Sequence, residues 1–116
     1  MTQQITLNLD YARKNEGHYY GYGASDLAER VAKAATTRKT AKGRAHAVLK
    51  VLRQCASDTG HSPDIECFVR KDRDSWRVSY EAGPFEWAIV ASDALCQVNI
   101  FAEPYYSFDL CFYDNN

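Results

Sequence analysis

From its helical middle onward, the apolar pattern of this chain changes period near Ile65, and that change decides its class. Before it, apolar residues recur at helical spacing: Ala45, Val48, Leu49 and Leu52 fall at i, i+3, i+4 and i+7. After it, Ile65, Cys67 and Val69 alternate with Glu66, Phe68 and Arg70, and Trp76, Val78 and Tyr80 alternate with Arg77, Ser79 and Glu81. A period of two belongs to strands with one face covered. Helices followed by consecutive strands predict an α+β fold, with two helices packed on one face of an antiparallel β-sheet of about four to five strands.

The first helix is expected to start near Ser25 or Asp26, with Asp26 and Glu29 spaced as a capping box. Leu27, Val31 and Ala34 or Ala35 share one face, and the helix frays over Ala35 to Arg38. A second helix fits Ala41 to Ser57, with Gly60 as its stop. The pattern leaves open whether Thr36 to Lys42 breaks the helix or continues it. Lys71-Asp72-Arg73-Asp74 is the turn of a hairpin, and Gly83-Pro84 breaks the chain. Phe85 to Ala91 reads as a third strand, with a short helix from Pro84 as the alternative. Gln97 to Ala102 and Ser107 to Tyr113 read as two more strands. Ile5 to Tyr11 also alternates as a strand, a glycine and tyrosine loop follows over Asn15 to Gly23, and Asp114-Asn115-Asn116 is expected to be a frayed tail.

The 116 residues are 46 % hydrophobic and show no repeat or linker, so residues 1–116 are read as a single domain with a packed core. No basic and apolar leader follows Met1, and no window approaches a membrane span, so the expected location is the cytoplasm, with no membrane partner. Cys55, Cys67, Cys96 and Cys111 are then expected as reduced thiols.

Three kinds of chemistry find no foothold. Cys55, His61 and Cys67 lie six residues apart, wider than the close pairs of structural zinc sites, so no metal is expected. Cys55 lies near a helix C-terminus, where the dipole disfavours a thiolate. Gly21-Tyr22-Gly23 lacks the third glycine and preceding strand of a dinucleotide loop. The reading is a non-enzyme with no catalytic residue and no cofactor.

Charge carries more information. Residues 1–60 hold ten Lys and Arg against five Asp and Glu, a net of +5; residues 61–116 hold four against ten, a net of −6. No Lys or Arg follows Arg77. Two binding surfaces are expected from this split. One is acidic and aromatic: Glu81, Glu86, Glu103, Asp109, Tyr105 and Tyr106, suited to a basic groove of a host protein or nucleoprotein complex. The other is the basic helical segment 30–53, centred on Arg38, Lys39, Lys42 and Arg44, which could neutralise phosphates.

A short, tyrosine-rich, charge-divided chain with runs such as Gly83-Pro84-Phe85-Glu86-Trp87-Ala88-Ile89 and Glu103-Pro104-Tyr105-Tyr106 resembles the small accessory proteins of phages and mobile elements, and among them is similar to anti-CRISPR proteins. That resemblance implies a phage-encoded inhibitor in a bacterial host, docking on a CRISPR-type defence complex and blocking its access to DNA. The alternative is a nucleic-acid-binding regulatory module built on the basic segment.

Overall fold

The computed structural model describes residue 7 and residues 24–58, 67–80, 91, 94–96, 100–101 and 107–114. Two helices, α1 (Ala24–Thr37) and α2 (Ala41–Asp58), precede strands β1 (Cys67–Asp72), β2 (Ser75–Tyr80), β3 (Ile100–Phe101) and β4 (Ser107–Tyr113). The class is α+β. Among the described residues the sheet is antiparallel in the order β1-β2-β4-β3, with three strands of six or seven residues and a two-residue fourth. Among the described residues, no helix is long and apolar enough to cross a membrane.

One core joins the two layers. Leu27, Ala28, Val31 and Ala35 of α1 and Ala41, Ala45, Val48, Leu49 and Leu52 of α2 are buried with Val78, Leu110 and Phe112 of the sheet. The expected stripe is therefore the buried one. The helices do not lie equivalently on the sheet: α2 packs on β1, β2 and β4, while α1 packs mainly on α2. Alanines 28, 32, 35, 41 and 45, all buried, leave no bulk to hold those helices apart.

The break between helices is real. α1 ends in two β-branched residues, and the Thr36 hydroxyl turns back to donate to the Ala32 carbonyl at 2.7 Å. After Arg38–Thr40 the chain re-enters a helix with Thr40 as its cap: Thr40 Oγ1 accepts from the Gly43 N–H at 3.0 Å. The Asp114 carboxylate accepts from the Ala41 N–H at 2.8 Å. The start of α2 is thus satisfied from both chain directions, and a negative group sits where the helix dipole favours it. Asp114 is not the frayed residue expected. Asp26 also departs from expectation: it lies inside the first turn of α1 and pairs with Arg30, one turn on, at 3.9 Å.

The hairpin is tighter than the four-residue turn expected. Lys71 and Asp72 remain in β1, paired with Trp76 and Ser75, so Arg73 and Asp74 alone make the turn. Arg73 takes φ 55, in the left-handed region, and Ser75 Oγ donates to the Asp72 carbonyl at 2.9 Å. Ala91 is helical, not extended: the Leu95 N–H donates to its carbonyl at 3.1 Å, and Cys96 closes the turn at φ 53. The strand expected over Phe85 to Ala91 therefore does not include its last residue, and residues 85–90 lie outside those described. Leu7 belongs to no strand and is 41 % exposed, so the alternation around it does not bury it. The rest of Ile5 to Tyr11, the loop over Asn15 to Gly23 and Gly60 lie outside the described residues.

Candidate functional site

Two charged regions stand on opposite sides of the core. The first is the outer surface of the helical layer. Residues 24–58 hold eight Lys and Arg against three Asp and Glu. Apolar positions face the core, so the cations fall on the solvent side. Lys33, Arg38, Lys39, Lys42 and Lys50 are all exposed. The ion pairs among the described residues are Arg30–Asp26, Arg70–Asp109, Arg77–Asp72 and Arg77–Asp109, and none involves those five. Among the described residues, two grooves cross this surface. One, of about 380 Å³, runs between the helices and is lined by Arg30, Lys33, Arg38 and Lys50 over a floor that includes Ala34, Ala47 and Val51. The other, of about 470 Å³, follows α2 past His46, Lys50, Arg53 and Gln54. Lys50 belongs to both.

The structure divides the four basic residues singled out from sequence. Arg38, Lys39 and Lys42 project into solvent. Arg44 is half-buried, and its Nε donates to the Arg38 carbonyl at 3.0 Å, which ties down the link between the helices. Burial lowers the Arg44 pKa, with the Asp114 carboxylate opposing. Arg44 positions the link; the neighbouring cations are free to meet a ligand. Sequence reasoning underweighted Arg30, Lys33 and Lys50, because only the α1–α2 packing brings residues from both helices to one groove.

The second region is the sheet face turned away from the helices. Strand alternation puts Arg70 of β1, Ser75, Arg77 and Ser79 of β2, and Asp109 and Cys111 of β4 on it. Asp109 is only 6 % exposed. Its Oδ2 accepts from Arg70 and from Arg77, each at 3.1 Å, and its Oδ1 accepts from the Ser79 hydroxyl at 2.8 Å. Arg70 Nε donates to Ser79 Oγ at 2.8 Å, and Arg77 reaches Asp72 at 3.2 Å. Two guanidiniums thus meet two carboxylates. The hydrogen bond to Asp109 raises the Arg77 pKa further. Small Ser75 and Ser79 let the long arginines lie across them, which explains how a polar face becomes buried.

Asp109 was expected on an acidic docking surface. It is instead sunk in the sheet with its charge cancelled. Glu81, Glu86, Glu103, Tyr105 and Tyr106 lie outside the described residues. A sequence clue to Asp109 existed: it is the one charged residue in the strand Ser-Phe-Asp-Leu-Cys-Phe-Tyr. Cys111 lies beside this network opposite Arg77, and burial raises its thiol pKa against the pull of that guanidinium. Cys111 and Cys96 are free thiols. Among the described residues no three His, Cys, Asp or Glu side chains gather as metal ligands would; Cys67 is described for its backbone alone, and His61 not at all.

No family model matches this chain, and no curated protein or solved structure is found to be similar to it.

Proposed function

We propose that this chain is a non-enzymatic binding protein that holds a nucleic-acid backbone on the cationic face of α1 and α2. The observation that carries the reading is the groove between α1 and α2, where Arg30, Lys33, Arg38 and Lys50 converge and only Arg30 has a carboxylate partner among the described residues. Exposed cations gathered along one groove repel one another, and a run of phosphates offsets that cost by releasing its own counterions. The bound segment would follow that groove and pass, at Lys50, into the second groove beside His46 and Arg53.

The test is fluorescence anisotropy of a labelled oligonucleotide between 50 and 200 mM salt, taken as roughly the useful window. Four phosphate contacts predict that log K falls against log salt with a slope of about −3 to −4. Absence of binding at the low-salt end, or affinity indifferent to salt, would overturn the reading.

A second reading follows from the missing cations after Arg77. In it the chain inhibits a host defence nucleoprotein complex of the CRISPR type and docks through Glu81, Glu86, Glu103, Tyr105 and Tyr106, without Asp109. Recovery of such a complex in stoichiometric amount from a nuclease-treated lysate would favour it over direct nucleic-acid binding.

A further inference from the structure

Near the N-terminal end of α2 the cationic face meets a tryptophan. Trp76 of β2 is half-buried and packs on the core, paired in register with Lys71 of β1 and Phe112 of β4. The ammonium groups of Lys71 and Lys42 each stand 5.2 Å from its ring centroid. The His46 ring lies 6.3 Å away, tilted by 48°. Lys42 and His46 are one helical turn apart on α2, and His46 also lines the groove with Lys50 and Arg53. The indole is therefore the aromatic terminus of the surface assigned above to phosphates.

We propose that Trp76 is a base-stacking platform, so that this face takes single-stranded nucleic acid in preference to duplex; the inference rests on the nucleic-acid reading of the same face. Two like charges share one ring, and neither lysine belongs to an ion pair among the described residues. The ring quadrupole attracts each ammonium, but the ammoniums repel one another. An arriving base resolves this. It replaces an ammonium on the ring, and the displaced lysine, on its flexible stem, pairs with the phosphate of that same nucleotide. Lys42, Lys71 and His46 are all exposed, so the side chains to be moved are solvated ones. Duplex offers no free base face without unstacking, whereas a single strand offers one at every nucleotide. The arrangement of cations beside an aromatic ring is the general plan of single-strand binding.

The experiment compares three probes of equal length at one salt concentration: an oligothymidylate, an abasic sugar–phosphate strand and a duplex. The abasic strand keeps the phosphates and removes the bases. On the intact protein the oligothymidylate is expected to bind about tenfold more tightly than the abasic strand. In Trp87→Phe, which leaves Trp76 as the sole indole, the oligothymidylate should quench tryptophan fluorescence and the abasic strand should not. Equal affinity for the thymidylate and abasic strands, with both still bound, would overturn the stacking proposal and leave the phosphate reading standing. Failure of all three probes to bind would remove both. Trp76→Leu should erase the thymidylate preference; Trp76→Phe, which keeps a ring and the packing, should retain part of it.

Discussion

Cations are used differently in the two layers of this molecule. In the helices, Lys33, Arg38, Lys39, Lys42 and Lys50 are exposed and belong to no ion pair among the described residues. In the sheet, Arg70 and Arg77 are held by Asp109, Asp72 and two serines. The first set is solvated and can exchange water for a ligand at little cost. The second is fixed in place, and its charges are already answered. The comparison teaches that the net charge of a segment is not the charge of a surface. The C-terminal part of the chain has no cation after Arg77, yet its Asp109 is neutral in effect, because strand pairing delivers two arginines from 32 and 39 residues away.

The comparison can be broken most forcefully at Asp109. Replacing it by Asn leaves two guanidiniums facing one another around a neutral amide. Loss of one member of a fully buried pair costs about 3–5 kcal/mol, and the partial exposure of both arginines brings the expected cost nearer to about 2–3 kcal/mol. Urea unfolding measures it. Oligonucleotide affinity, read where the variant is folded, should stay within about twofold, because the network does not touch the helical face. A change in stability under about 0.5 kcal/mol would mean that the sheet arginines are as loosely held as the helical lysines.

A smaller effect of opposite sign is expected at Arg73. Its left-handed backbone costs an L-residue about 1 kcal/mol, which glycine avoids. Arg73→Gly should therefore stabilise the hairpin by something under about 1 kcal/mol, with the removal of a turn cation leaving binding unchanged. Destabilisation would show that the Arg73 side chain has a role in the sheet network.

The residues that were legible in the sequence are those whose environment is set by near neighbours. The stripe Ala45, Val48, Leu49, Leu52 announced α2, and the alternation Trp76, Val78 announced β2, because periodicity is local. What escaped was non-local. Asp114 looks like a tail residue until the fold carries it 73 positions back to the first turn of α2. Asp109 looks like a surface acid until register sets it beside Arg70 and Arg77. The tight turn at Arg73 escaped for a different reason: neither Arg73 nor Asp74 is the glycine or asparagine by which such turns are recognised. At the candidate site the cations Arg38, Lys39 and Lys42 were legible as a cluster. Their grouping with Lys33 and Lys50 needed the helix packing, and their continuity with Trp76 needed the helix–sheet packing.

The central claim is that the helical cations bind and the sheet cations hold the fold. The most direct measurement is the salt dependence of oligonucleotide binding by the triple variant Lys33→Gln, Arg38→Gln, Lys50→Gln, with its urea midpoint taken alongside. The account predicts that the slope of log K against log salt becomes shallower by about 2 to 3, roughly one for each phosphate no longer neutralised, while the urea midpoint stays where it is. A slope equal to that of the unaltered protein would contradict it and place the nucleic-acid interface elsewhere on the molecule.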